Sequence, residues 1–381
     1  MCWPRGEFVV TIPLFGVVQN AAIEQVATEV LRSGMIASGP YVEKFTRAFG
    51  RLIGQSHVVT TNDMSSAMTI ALRLAGVTPA DEVITSPFSC MSTNAPIGAS
   101  GATTVWADLD PATASLSVES VQALLTPRTR AVVLYHVAGY PGPSRAIADL
   151  CRAAGVALIE DCDNALGAEV DGGRVGDFGD FGIYSFYPNR QINGIDGGAL
   201  SCRTAADFAR ASRLRRYGID SSRFRDARGE IDPNCDVKEL GYSASFNNLN
   251  SAIAYVQLNG LAARQARTVA NANALTTGLT GLAGLKLVAP LAGACPVYWT
   301  LLTLVNHRDA VLERLKDAGI AVSRLHYRTD HYSGFRARSG SLVGVETFMA
   351  ETLSLPCGWW LDDSEIDQII DAVRDAVTAV H

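Results

Sequence analysis

Lysine is nearly missing from this chain. Of its 32 basic residues only Lys44, Lys238, Lys286 and Lys316 are lysines; the rest are arginines. The bias carries no functional meaning by itself. Charge is sparse, at 18% of residues, and the net charge is −6. That balance excludes the basic patch on which nucleic-acid and anionic-membrane partners depend. No apolar run reaches the length of a membrane span. Eight cysteines occur, and no two have the C-x-x-C spacing of a zinc or redox pair. They are expected to be reduced and mostly buried. The opening residues, Met1-Cys2-Trp3-Pro4-Arg5-Gly6, show neither the charged nor the apolar region of a signal peptide. A cytoplasmic location is the expectation.

What is present is apolar. Hydrophobic residues make up 48% of 381 positions, enough for a large core and a second, smaller domain. Amphipathic helices are predicted over 20–33 and 40–53. Strand and helix signals then alternate. Strands are expected at 58–61, 82–85, 103–107, 131–136 and 157–160, with helices at 66–75, 92–100, 118–125 and 144–154. Asp63 or Ser65 can cap the helix at 66. This order is the signature of βαβ units in a mostly parallel sheet. Two further strands, 179–185 and 198–202, flank a polar loop. A helix follows over 205–217, then a Gly/Asp/Arg-rich loop over 218–240 and a helix over 247–262. From about 265 the pattern becomes an α+β tail, with a strand at 297–304 and helices at 308–318 and 366–377. The division expected is a large domain over 1–264 and a small one over 265–381.

Ligands of α/β sheets sit beyond the carboxyl ends of the strands, where helix N-termini offer free N–H groups. Several segments fall at such ends: Asp63-Met64-Ser65, Ser86-Pro87-Phe88-Ser89-Cys90, His136, the run Ile159 to Ala168, and Ser185 to Gly198. This last stretch, Ser185-Phe186-Tyr187-Pro188-Asn189-Arg190-Gln191, resembles the cofactor-lysine segment of the DegT/DnrJ/EryC1/StrS sugar aminotransferases. The resemblance extends from Ile12-Pro13-Leu14 to Leu353-Ser354-Leu355-Pro356. It implies a fold-type I, pyridoxal phosphate (PLP) transferase scaffold, with a mostly parallel sheet between helices and a smaller C-terminal α+β domain.

By that resemblance Ser185 and the Met64-Ser65 turn hold the cofactor phosphate, with Met64 where the family has glycine. Asp161 partners the ring nitrogen and Asn164 the ring hydroxyl. Cys90 takes the place of the residue that stacks on the ring, as inert packing or as a reactive thiol. Ser243 and Ser245 stand where the family reaches across a dimer to the neighbour's phosphate. His136 matches a family histidine and reads either as a hydrogen-bonded structural residue or as an acid/base group. His326-Tyr327 matches a pair near the substrate. The Schiff-base lysine position holds Arg190. A guanidinium stays protonated at any working pH, so it is neither the attacking amine nor an effective general base. Its planar fork suits phosphate or carboxylate.

Three functions follow. The first is a lysine-free enzyme that holds PLP, pyridoxamine phosphate (PMP) or a substrate adduct noncovalently. It would carry out an elimination, a rearrangement or a modified transamination on a sugar-like or natural-product intermediate. The second is a sugar aminotransferase whose lysine was replaced or recently lost. The third is a non-catalytic scaffold or partner subunit. A homodimer with shared sites is implied by the resemblance.

Overall fold

The computed structural model describes residues 11–380. Cys2 and the opening segment read above lie outside the described residues. The centre is an eight-stranded sheet. Its order is Val58–Thr61, Gly198–Cys202, Phe181–Ser185, Ala157–Asp161, Thr129–Tyr135, Glu82–Thr85, Thr103–Trp106 and Ala337–Ser339. Gly198–Cys202 runs antiparallel to both neighbours; every other pairing is parallel. The inner strands are buried along nearly their whole length, with Arg130 exposed and Thr103 and Ala157 half-buried, as expected where helices cover both faces.

The helices follow the sequence signals closely. Ala21–Ser33 is capped by the Asn20 side chain and ends on Gly34 at φ 72°. Pro40–Ile53 has proline at its first turn. Met64–Leu74 begins two residues before the predicted start, because Asp63 is the residue that caps it. The helix expected over 247–262 is two: Asn248–Gln257 and Leu261–Leu279. Gly260, at φ 83°, turns the chain between them. The helix expected to reach Tyr217 stops at Leu214, where Tyr217 takes φ 57°.

The C-terminal third builds its own antiparallel sheet of Leu285–Leu287, Leu301–Val305 and Thr352–Leu355. Helices Leu261–Leu279, Arg308–Asp317 and Asp363–Thr378 pack on it around Leu275, Val305, Leu315, Ile320 and Ile369. The strand predicted at 297–304 starts only at Leu301. Residues before it are drawn away, because the N–H groups of Val297 and Trp299 donate to the carbonyls of Gly139 (3.1 Å) and Ala138 (2.7 Å). The same third also adds the edge strand Ala337–Ser339 to the central sheet. The cysteines are less uniformly buried than expected. Cys151, Cys162, Cys202 and Cys357 are buried, Cys90 and Cys235 partly so, and Cys295 is exposed.

One buried carboxylate fixes that edge. Glu82, 1% exposed at its side chain, accepts from Arg338 (2.7 and 3.0 Å), Arg128 (2.5 and 3.2 Å) and Thr126 (2.7 Å). Chiefly through Arg338, its pKa is held down at about 2. A depressed carboxylate stabilises the fold above its ordinary pKa and loses that contribution as pH falls. Arg338→Met should therefore cost about 2 kcal/mol near neutral pH. The difference from wild type should shrink between pH 4.5 and 2, as read by denaturant melts at each pH.

Candidate active site

Strand register decides which side chains meet. In the parallel pair Thr129–Tyr135 and Ala157–Asp161, Tyr135 lies opposite Asp161 and Leu134 opposite Glu160. Successive side chains of a strand point to opposite faces. Tyr135 and Asp161 therefore look one way, and Glu160 looks the other. Asp161 is fully buried; it accepts from the Thr93 hydroxyl (2.7 Å) and the Asp163 N–H (3.1 Å). Burial, and then the charge of Asp163, push its pKa up to about 7. The Thr93 bond draws Asp161 to the N-terminus of helix Met91–Ala99, beside Cys90. The Cys90 sulfur sits 2.6 Å from Ser92 Oγ. Burial, Asp163 and Asp161 all raise the thiol's pKa, so it stays protonated.

Arg190 lies in the loop after Phe181–Ser185. Gln257 anchors this loop, bonding both the N–H of Asn193 (3.0 Å) and its carbonyl (2.7 Å). Arg264 holds the Gln191 carbonyl at 2.9 Å. From this base the Arg190 side chain grips Asp163 with two parallel bonds, Nε to Oδ1 at 2.5 Å and Nη2 to Oδ2 at 2.6 Å. Its Nη1 donates to Asn189 Oδ1. The guanidinium lies 4.7 Å from the centre of the Trp299 ring, which stacks on Phe15 at 4.3 Å. Burial disfavours the Arg190 charge, but Asp163 more than offsets it, and its pKa lies above the ordinary arginine value.

A second chain of bonds meets the same cluster. Asn164 Nδ2 donates to the Tyr135 hydroxyl (2.7 Å), which is 3.1 Å from His326 Nε2. Burial, aided by Arg190, lowers the His326 pKa to about 4, so the ring is neutral at pH 7. Burial, then Cys90, Asp163 and Asp161, hold the Tyr135 pKa well above its ordinary value. Asn164 Oδ1 is buried with no partner, an acceptor still to be satisfied.

The structure thus brings together Asp161, Asn164, Cys90, Arg190 and His326. Ser185 ends its strand opposite Gly198, and Gly198 backs directly onto the turn that carries Ser65. A Cβ at 198 would sit 2.6 Å from the Asp63 carbonyl, so only glycine permits that approach. Met64 is 4% exposed and turns its side chain into the core, which leaves its backbone to line the turn. His136 is not brought to the cluster. It follows Tyr135 and so faces the other side, where its Nδ1 accepts from the Gly142 N–H (2.9 Å) and its Nε2 lies 3.3 Å from Glu160. Tyr327 is also outside: it is 59% exposed and pairs with His331 at 2.9 Å. Ser243 is exposed and accepts from the Tyr217 hydroxyl at 2.9 Å. All four lysines are exposed, Lys238 on the 218–240 loop among them. Sequence reading passed over Asp163, Tyr135, Thr93 and Trp299. Asp163 had a partial signal, a second acidic residue at a strand end; its nearness to Arg190 comes only from the fold.

An aspartate buried at the carboxyl end of a mostly parallel sheet, an amide beside it and hydroxyls on two neighbouring turns define a fold-type I PLP-dependent transferase scaffold. The chain belongs to the DegT/DnrJ/EryC1/StrS aminotransferase family, whose profile matches residues 18–374. It is 29% identical, over 99% of both chains, to the spore coat polysaccharide biosynthesis protein SpsC of Bacillus subtilis. The aminotransferase TlmJ of Streptoalloteichus hindustanus superposes with a TM-score of 0.90 at 32% identity, over 97% of this chain and 100% of that one. The sugar aminotransferase CalS13 of Micromonospora echinospora does so with a TM-score of 0.90 at 29% identity, over 96% and 100%.

The residues fit the ring of such a cofactor. Asp161 is a buried acceptor whose charge lacks a full partner, and Asn164 Oδ1 is orphaned. The group at 190 has no free amine to offer.

Asp161 also sets a pH dependence in the cofactor-free protein. A group whose folded pKa is raised stabilises the fold below its unfolded value and loses that stability as pH rises. Unliganded Asp161→Asn should thus melt higher than wild type at pH 8, with the gap closing towards pH 4. Thr93 can reverse its hydroxyl bond to suit the amide. Thermal melts across that range check it.

Proposed function

We propose that this chain is a lysine-free member of its family that holds PLP, PMP or a substrate adduct noncovalently. It acts on a sugar-like or natural-product intermediate by an elimination, a rearrangement or a modified transamination. One observation supports the reading. Asp161 and Asn164, the groups assigned to the ring, are buried and hydrogen-bonded within one cluster, while the position assigned to the tether holds a guanidinium locked to Asp163. A buried carboxyl with its pKa raised to about 7, beside the orphaned Asn164 Oδ1, favours a ligand site over an empty scaffold.

Bound there, the pyridine ring supplies an electron sink. Asp161 holds a proton on the ring nitrogen. Asn164 orients the ring through its free oxygen while Tyr135 fixes its amide. Ser65 and Ser185 take the phosphate. Neutral His326 is available to take up a proton through Nε2 once the Tyr135 bond turns. The partner substrate is a small sugar-like molecule, and the protein works as a homodimer. Exposed Ser243, with Tyr217 and Leu240 (76% exposed), belongs to the surface that meets the second copy. The reading sets this work in the cytoplasm, where free thiols like the seven described persist.

A second reading, a recently disabled aminotransferase, draws on the intact ring site and on the Asn189-Arg190-Gln191 context. The two part on wild-type chemistry. Wild type incubated with PLP or PMP should show saturable absorbance that dialysis removes. Borohydride should leave no phosphopyridoxyl group on any residue of the buried cluster, whatever reaches the four exposed lysines. Asp161→Ala should abolish the saturable signal. A stoichiometric borohydride-stable label on the wild-type protein that Asp161→Ala abolishes would overturn the reading.

A further inference from the structure

We infer that Asp163 is a positioning residue that commits position 190 to arginine and bars a cofactor-tethering amine there. The inference rests on the noncovalent reading above and names the device that enforces it. Asp163 is 5% exposed, and both its oxygens accept from the Arg190 fork. Its backbone N–H meanwhile bonds Asp161, so two carboxylates crowd one buried corner. Arg190 is the cation that faces them. Tyr135 and His326 are neutral, and Cys90 is a thiol.

A lysine at 190 would meet a site built for a guanidinium. Its ammonium is one point charge and cannot match a planar two-bond grip. The adjacent carboxylate would also hold the amine protonated, since an opposite charge within about 4–6 Å favours the charged form. A protonated amine has no lone pair with which to attack an aldehyde. If the amine did become neutral, Asp163 would be a buried carboxylate without a cation, beside Asp161. Arginine and aspartate are therefore a matched pair, and restoring lysine alone does not restore the tether. Trp299 completes the lock by covering one face of the guanidinium, a surface that an ammonium on a flexible stem fills less well.

Two measurements test this. In the first, R190K and D163A/R190K are incubated with pyridoxal phosphate and borohydride, and the masses of their proteolytic peptides are read, so that a label at position 190 is told from one on the exposed lysines. An attached amine loses one water to the aldehyde, and hydride then fixes the product as a secondary amine. The double variant should be labelled at position 190, and R190K alone at less than about a tenth of that extent. Equal labelling overturns the inference. So does labelling of neither variant while wild type binds the cofactor. In the second, apo wild type, D163N, R190M and D163N/R190M are melted. Each single change should lower Tm, and the double should lose clearly less than the sum. Additive losses overturn the inference. The second measurement involves no cofactor. A wild type that binds neither PLP nor PMP therefore sinks the noncovalent reading and leaves the melts to decide the lock.

Discussion

Two carboxylates at the end of one buried strand need a cation, and Arg190 provides it. Asp161 ends its strand inside the sheet, and Asp163 follows two residues later. Neither reaches water, so their mutual repulsion is not screened by solvent. The bidentate grip of Arg190 on Asp163 keeps that corner intact. It also sets the chemistry, because a guanidinium that neutralises Asp163 is not a nucleophile. The loop bonds of Gln257 and Arg264 and the Trp299–Phe15 stack all hold this one contact in place.

The two faces of the central sheet carry two polar networks of different character. On one, Glu160 accepts from Ser144 and from the N–H groups of Phe178 and Gly179, and stands beside His136. Burial works to raise its pKa, but the adjacent His136 and the backbone N–H groups facing it lower it on balance, as in a network that braces structure. On the other, Asp161, Asn164 and Tyr135 leave an acceptor unsatisfied and a carboxyl poised near neutrality. An orphaned polar atom is not peculiar to this face, since His136 Nε2 also lacks a hydrogen bond; what sets this face apart is that its orphaned acceptor stands in one cluster with a carboxyl whose pKa is raised. Strand alternation alone separates the two networks.

Most of the fold was legible in the chain. Helix caps such as Asn20 and Asp63, proline at the start of Pro40–Ile53 and the alternation of short apolar runs with helices placed the main βα elements up to residue 257 within a few residues, but Leu261–Leu279, Leu285–Leu287, Ala337–Ser339, Val343–Glu351 and Thr352–Leu355 had no prediction of their own. What misled was local. The run through residues 247–262 reads as one helix until Gly260 takes a left-handed turn. Residues 297–300 have strand-like composition but are held to the 138–139 turn. Asp161, Asn164, Ser185 and Arg190 were singled out by a motif, and the fold gathers Asp161, Asn164 and Arg190 in one buried cluster. His136 and Tyr327, named by similar motifs, lie outside that cluster, while Tyr135 and His326 lie within it.

The sequence by itself determined the family scaffold and the absence of an amine at position 190, because those depend on residue type and order. Only the tertiary structure decided what that arginine does. Asp163 and Arg190 are 27 residues apart, and no local pattern says that their side chains meet. Their pairing follows from the register of parallel strands and from a loop fixed by a distant helix. These are long-range constraints, which composition and periodicity do not encode.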